Sequence, residues 1–437
     1  MNIILLSGGS GKRLWPLSND IRSKQFIKLF KDENGEYESM VQRVYRQITT
    51  VDADATVTIA TSKSQVSAIR NQLGDKVSVC IEPCRRDTFP AIALAAAFLH
   101  DEKGVDPDET VAVCPVDPYV SNAYYEAVKK LGALVDEKKA NITLMGIEPT
   151  YPSEKYGYII PELADNVSNV KEFKEKPDTE TAKRYIEQGA LWNAGVFAFK
   201  LGYLMEKAHS MIDFTDYRDL YAKYDTLEKI SFDYAVVEKE PSIQAMRFAG
   251  DWKDVGTWNM MAEVMADVAK GNVTMDDTCT NTNVVNELDI PILCMGCKDM
   301  VIAASCDGIL VSDKEQSGYM KPYVEKISES VRYAEKSWGT YTVIDAQPEA
   351  LTVKVSLHAG NQMKYHSHEY RDEVWTVLNG NGRTIVDGME QVLRPGDVVT
   401  IAAGCKHTLI ADTDMNVIEV QVGKDISQAD KTVYSLN

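Results

Sequence analysis

Short apolar runs alternate with segments of helical period over the first part of this chain. The run at 3–7, Ile3-Ile4-Leu5-Leu6-Ser7, passes at once into a glycine-rich loop, and similar runs recur at 57–60, 77–81 and 111–114. Between them stand helix-like segments at 39–47, 64–73 and 89–100. A strand buried on both faces reads as a continuous apolar run, whereas a helix keeps a 3.6-residue period. The alternation predicts an α/β fold with a doubly wound, mostly parallel sheet over residues 1–265.

The rhythm then changes. Residues 266–330 carry short β-like runs at 284–285, 292–295, 300–304 and 309–311, with turn residues between them and no helix of length. This segment reads as a β linker or partial β-solenoid. A last domain is placed at 331–437, and from about 337 to 422 its pattern is all-β, with runs at 340–344, 351–357, 373–378, 383–386, 397–401 and 417–422 separated by Gly, Asp and Asn. Many short strands with regular turns predict a small barrel or jelly roll. The charged stretch 326–336 reads as the connector.

Composition narrows the function. A chain of 437 residues, 44% hydrophobic, suits two or three soluble domains at roughly 100–200 residues each. A formal net charge of −18 excludes a nucleic-acid binder, which needs a basic surface. A site for anionic phosphates must then be locally basic or use a metal. No basic residue precedes the first apolar run, which is too short for a signal peptide. The longest apolar-rich stretch, 91–99, is far short of a membrane span. A cytoplasmic protein without membrane partners is expected, with its eight cysteines mostly reduced and buried. Cys294-Met295-Gly296-Cys297 lacks the second pair that a zinc ribbon needs, and Cys306 alone does not supply it, so this CxxC reads as structural.

The loop Leu6-Ser7-Gly8-Gly9-Ser10-Gly11-Lys12-Arg13-Leu14 carries the first candidate chemistry. Three glycines let backbone N–H groups approach phosphate oxygens, and Lys12 and Arg13 add positive charge at the same point. It is neither a Walker A loop nor a dinucleotide fingerprint, because Leu6 and Leu14 stand where those motifs need glycine.

This loop resembles the signature of nucleotide-sugar pyrophosphorylases. Trp15-Pro16-Leu17-Ser18 and Arg22-Ser23-Lys24-Gln25-Phe26 are similar to its mannose-1-phosphate guanylyltransferase branch, with Ser23 where Pro is usual. Further matches follow in order: Glu82-Pro83-Cys84-Arg85-Arg86-Asp87-Thr88-Phe89-Pro90-Ala91, Tyr156-Gly157-Tyr158-Ile159, Phe173-Lys174-Glu175-Lys176-Pro177, Trp192-Asn193-Ala194-Gly195-Val196-Phe197, Ser231-Phe232-Asp233-Tyr234-Ala235 and Trp252-Lys253-Asp254-Val255-Gly256-Thr257-Trp258. Asp87 and Phe89 depart from the usual Asn and Ala.

The resemblance implies transfer of a nucleotidyl group, from GTP above all, to mannose 1-phosphate. The products are GDP-mannose, a precursor for polysaccharide biosynthesis, and pyrophosphate. It assigns Arg13 and Lys24 to the triphosphate and transition state. Leu6, Gly8, Gly9, Gly11, Lys12, Glu82 and Arg86 join Arg13 around the nucleotide. Gly157, Glu175 and Asn193 fall to the sugar and Lys176 to its phosphate. Asp117, just past the run at 111–114, and Asp254 fall to Mg²⁺, which suits carboxylate and phosphate oxygens. The resemblance also implies a homo-oligomer.

In the C-terminal part, Gly360, His366, His368, Glu373 and Gly380 fit G-x5-H-x-H-x4-E-x6-G, and His407 follows. Alternate strand residues share a face, so His366 and His368 point the same way. Two imidazoles, a carboxylate and a distant imidazole suit Zn²⁺ or another divalent transition metal. The spacing resembles the cupin signature. Lys336-Ser337-Trp338-Gly339-Thr340-Tyr341, Arg371 with Glu373 and Trp375, and Ile418-Glu419-Val420-Gln421 resemble a phosphomannose isomerase cupin fused to such transferases. That would interconvert mannose 6-phosphate and fructose 6-phosphate. Competing readings are a transferase for another sugar 1-phosphate or base, and a non-catalytic sugar-nucleotide sensor.

Overall fold

The strand Asn2–Leu6 is the hub of a large mixed sheet in the computed structural model. The structure describes residues 1–9, 11–327, 331–427 and 429–436. Ser10 of the glycine loop and 328–330 of the expected connector lie outside the described residues. The chain divides into two compact units, Met1–Gly9 with Gln25–Val66 and Leu73–Ala266, and Ser10–Lys24 with Ser67–Gln72 and Asp267–Asn437.

The sheet of the first unit contains β1 (Asn2–Leu6), β2 (Thr56–Ser62), β3 (Ser78–Glu82), β4 (Thr110–Pro115), β5 (Ile142–Ile147), β6 (Tyr158–Pro161), β7 (Val167–Lys174), β8 (Leu191–Lys200) and β9 (Ile243–Phe248), in the order β3-β2-β1-β4-β8-β5-β9-β7-β6. β3, β2, β1 and β4 are parallel neighbours, as are β5 and β9. β7 and β8 run against their neighbours. The predicted parallel runs are thus present, with two antiparallel strands that apolar patterning alone did not signal.

The helix Thr88–Ala97 explains much of the packing. It is apolar all round, and every residue from Phe89 to Ala97 is buried. Such a helix must be covered on every side. It lies on β1, β2 and β3, and is capped outside by Leu201–Met211, Tyr217–Lys223 and Phe232–Ala235. The helix Met40–Val51 starts at a capping box, Ser39 with Gln42, and packs on Asn122–Asp136.

In the second unit, Ala269–Lys270, Asn283–Asn286 and Met300–Ser305 pair in parallel, and Val273–Met275 pairs in parallel with Ile292–Cys294. These are stacked coils, with Val284, Cys294 and Ile302 at their centre. The segment Ser10–Lys24 joins this unit through specific contacts. Ser305 Oγ donates to Pro16 O at 2.7 Å, and Asn19 Nδ2 donates to Asp307 Oδ2 at 2.7 Å. At Gly308 (φ +148) a Cβ would lie 2.3 Å from the Trp15 indole, so glycine is required there.

The C-terminal region forms two antiparallel sheets, one built on Gly339–Gln347, Ala350–Leu357, Met415–Gly423 and Arg371–Asn379, the other on Gly382–Val386 and His407–Ala411. Trp375, Val353, Leu409 and Val417 fill the space between. The expected connector at 326–336 is corrected in part, since Tyr333–Lys336 is a strand paired with Gly339–Gln347. Met389–Leu393 was missed because four of its five residues are exposed and carry no alternation. Among the described residues no helix is long and apolar enough to cross a membrane. All eight cysteines are free thiols.

Candidate functional site

The strand order reverses between β1 and β4, which have β2 and β8 on their outer sides. Such a switch point opens a crevice at the carboxyl ends of the strands. Leu6 and Pro115 are register partners at those ends. The chain leaves β1 into Ser7-Gly8-Gly9 and leaves β4 into Val116-Asp117. Both exits open on one cavity of about 370 Å³, lined by Leu6, Gly8, Gly9, Glu82, Arg86 and Asp117 among others. Six residues named from the sequence are therefore brought together by the topology.

The glycine loop faces space. No atom lies within 4 Å of where a Cβ would stand on Gly8 or Gly9, and Gly9 has φ +131. Its root is held from below: Gln25 Nε2 donates to Ser7 Oγ at 3.0 Å, and Thr61 Oγ1 donates to Gln65 Oε1 at 2.8 Å beside it. Arg85 Nη2 donates to Gly9 O at 3.0 Å. Arg85, Asp87 and Lys229, to which the sequence pattern gives no ligand role, also line the cavity. Asp87 (φ +70) accepts from Thr88 N–H and caps the buried helix.

Glu82 ends β3, accepts from the Tyr224 hydroxyl at 2.9 Å, and has its carboxyl pushed up by burial. The Arg86 guanidinium is anchored on the carbonyls of Tyr224 and Asp225. Asp254 reaches the same end of the sheet by another route. The strand Trp252–Asp254 pairs with Pro118–Val120, and the register sets Asp254 opposite Pro118, next to Asp117.

A second cluster forms where β6, β7 and β8 meet. Asn193 N–H donates to Gly157 O at 2.8 Å, and Asn193 Nδ2 donates to Asp233 Oδ1 at 2.7 Å. Lys176 Nζ lies 2.5 Å from Glu175 Oε1. Burial lowers the Lys176 ammonium, but the Glu175 hydrogen bond and charge outweigh it and hold its pKa up. Burial and the neighbouring Glu175 push the Asp233 carboxyl up to about 7. The sequence assigns Asp233 no role, and only the fold sets it against Asn193. A Cβ on Gly157 would stand 2.5 Å from Glu175 Oε2 and 3.0 Å from the Phe173 ring. Gly157→Ala must therefore displace the Glu175 carboxylate. The expected result is a roughly 10²-fold fall in kcat/KM for the sugar phosphate, read from initial rates.

In the second unit, Gly11–Leu14 forms a 3-10 turn that carries Lys12 and Arg13, and Lys24 opens another at Lys24–Phe26. Lys12 Nζ lies 3.8 Å from Asp20 Oδ2, and both line a cavity of about 80 Å³ with Trp15, Asn19 and Asp307.

The barrel gathers His366, His368 and His407, all buried, with ligand nitrogens within 4.8 Å of one another. Each Nδ1 is spent on a backbone carbonyl: His366 on Lys364 O at 2.6 Å, His407 on Cys405 O at 3.0 Å, and His368 on Asp430 O. That leaves Nε2 of His366 and His407 as the nitrogen available to a metal, the usual outer-shell arrangement of ligating histidines, while His368 Nε2 accepts from Arg371 Nη2 at 2.9 Å. His407 Nε2 is buried without a hydrogen-bond partner, and a cation there would satisfy it. These donors fit a divalent transition metal. Glu373 completes the group differently from the histidines. Its carboxylate lies 3.2 Å from His368 Nε2 and 3.3 Å from His407 Nε2, and it also accepts from Arg371 Nε and Trp375 Nε1.

Burial, with Lys431 nearby, lowers the His366 imidazole to about 3. A depressed imidazole costs stability as pH falls, because the unfolded chain takes up the proton first. The metal-free protein should lose roughly 3–5 kcal/mol between pH 6.5 and pH 3. Urea midpoints across that range should show the slope, and His366→Gln should flatten it.

Comparison with known proteins agrees with this layout. The Nucleotidyl transferase family profile matches residues 2–271, and the Cupin domain profile matches 353–421. The chain is 28% identical to the mannose-1-phosphate guanylyltransferase ManC of Salmonella typhimurium, over 98% of this chain and 96% of that one. It is 30% identical to the xanthan biosynthesis protein XanB of Xanthomonas campestris, again over 98% and 96%. The crystal structure of a mannose-1-phosphate geranyltransferase from Thermus thermophilus superposes with a TM-score of 0.61 at 26% identity, covering 75% of this chain and 99% of that chain.

Proposed function

We propose that this chain, which belongs to the nucleotidyl transferase family and carries a cupin domain behind it, transfers GMP from GTP to mannose 1-phosphate, giving GDP-mannose and pyrophosphate. The observation that carries this reading is the cavity at the β1/β4 switch point, where the glycine loop and Asp117 meet. The nucleophile is a phosphate oxygen, already anionic, so no general base is needed. The barrier is repulsion between anions and charge developing on the leaving pyrophosphate, which positioning and electrostatics must offset.

In this reading Asp117 and Asp254 hold Mg²⁺, which when bound neutralises phosphate charge. Leu6, Gly8, Gly9, Gly11 and Lys12 cradle the nucleotide, and Glu82 and Arg86 orient its base and ribose. Arg13 and Lys24 are the proposed triphosphate and transition-state residues. Gly157, Glu175 and Asn193 read the sugar hydroxyls, and Lys176 pairs with the sugar phosphate. The division at 265 and 330, a homo-oligomeric assembly and a cytoplasmic location belong to the same proposal. The test is pyrophosphate release with Mg²⁺ and mannose 1-phosphate across GTP, ATP, UTP and CTP. Release with GTP alone is expected. Release with another nucleotide would move the base assignment, and none with any sugar phosphate would favour a sensor.

A second reading rests on the three convergent imidazoles. The barrel isomerises mannose 6-phosphate and fructose 6-phosphate, with His366, His368, His407 and Glu373 holding Zn²⁺ or another divalent metal, which when bound polarises the substrate oxygens. His407→Ala should lower the bound metal, measured by elemental analysis, by at least about tenfold in affinity. It should abolish ketose formation while leaving pyrophosphate release intact.

A further inference from the structure

Three thiols that neither site uses meet in the stacked coils of the second unit. Cys294 ends the strand Ile292–Cys294, in parallel register with Met275. Gly296, at φ +62, turns the chain back, Cys297 Sγ donates to Met295 O at 3.7 Å, and Cys297 packs against the small cluster that contains Cys294. On the neighbouring coil Thr280 N–H donates to Cys297 O at 2.9 Å, and Thr280 bridges Lys298 in parallel, which sets Cys279 beside Cys297. Cys279 is held by another partner, however. Its Sγ lies 3.2 Å from Asp276 Oδ1, and the same oxygen accepts from Gly296 N–H at 3.1 Å. One carboxylate therefore restrains Cys279 and braces the turn between the other two thiols. Cys294 is 3% exposed, in the apolar cluster with Val284 and Ile302, while Cys297 is half-buried at its edge.

From this geometry we infer that Cys294 and Cys297 are a thiol pair that closes to a disulfide by exchange with a small disulfide such as oxidised glutathione. Cys297, the accessible member, attacks as thiolate on one glutathione sulfur. The glutathione S–S bond breaks, a mixed disulfide forms on Cys297, and one glutathione thiolate leaves. Cys294 then loses its proton to solvent and attacks the Cys297 sulfur, expelling the second glutathione as thiolate, which is protonated in water. Two protein thiols are oxidised and one glutathione disulfide is reduced to two thiols. Burial raises the Cys294 thiol above its ordinary value, which suits it to the second step rather than the first.

The full chain should be incubated with oxidised glutathione, alkylated and mapped by peptide mass spectrometry. The expected result is loss of two alkylatable thiols and one cross-link between Cys294 and Cys297. Cys294→Ser should retain glutathione on Cys297, Cys297→Ser should carry none on Cys294, and Cys279→Ser should close as the parent does. The inference is overturned if both thiols stay alkylatable, if the cross-link runs through Cys279, or if Cys294→Ser takes up no glutathione.

Discussion

Asp117→Asn should lower pyrophosphate release at saturating GTP and mannose 1-phosphate by at least about 10³-fold while leaving the thermal midpoint unchanged. Asp117 follows the carboxyl end of β4 and lines the cavity that the glycine loop faces. The substitution keeps shape and removes one formal charge. In an active site built to offset phosphate charge, that charge is the largest single contribution a side chain can lose. Asp254→Asn should cost a similar factor, since the ribbon register sets it opposite Pro118, the residue after Asp117. The double variant should be little worse than either single one, as expected of residues acting through one shared ion. Full activity in Asp117→Asn would remove this residue from the metal site. Loss of activity with an equal loss of stability would make its role structural.

Arg22→Met should destabilise the second unit by roughly 3–5 kcal/mol. Arg22 Nη1 and Nη2 grip the Glu287 carboxylate at 2.7 and 3.1 Å, Glu335 lies 3.9 Å from Nε, and the guanidinium sits 4.9 Å from the Tyr333 ring centre. Burial pulls the Arg22 pKa down, but Glu287 outweighs it and holds it above the ordinary value, so the group stays charged in its buried position. Removing it leaves two carboxylates without their cation. Arg22→Lys should recover little, because an ammonium cannot reproduce the two parallel bonds. Arg22→Met with Glu287→Leu should recover a large part, because no buried charge is then stranded at Glu287. Urea midpoints of the parent, the two single variants and the double variant form the cycle. A purely additive result would show that the pair does not couple.

This arginine also shows how far a motif reaches. Arg22 stands in the same short string as Lys24 and Gln25, and in sequence all three belong to one signature. The fold separates them. Arg22 braces the second unit against Glu287, while Gln25 supports the root of the glycine loop through Ser7. A string of residues specifies which side chains are present. Which of them reach a ligand depends on how the backbone turns between them.

Much was nevertheless legible beforehand, for physical reasons. Buried parallel strands carry an apolar stretch rather than strict alternation, so β1 to β4 showed as runs. The glycine loop was visible because close approach to phosphate needs residues without Cβ, and the histidine pair because alternate strand positions share a face. What patterning missed were elements without a burial signature, such as Met389–Leu393, and the antiparallel strands β7 and β8 in an otherwise parallel sheet.

Sequence by itself determined the α/β-then-all-β order, the glycine loop, the paired histidines and the residue types able to meet phosphate, sugar and metal. These depend on local periodicity and on chemistry that each side chain carries wherever it stands. Only the tertiary structure decided that Asp254 stands opposite Pro118, the residue after Asp117, that Asp233 meets Asn193, that every ring of the histidine group turns its Nδ1 to a backbone carbonyl, and that Cys279 is drawn to Asp276. Each of these depends on strand register or on a hydrogen bond set by the surrounding fold. Such pairings are fixed by packing of the whole core, and no local pattern encodes them.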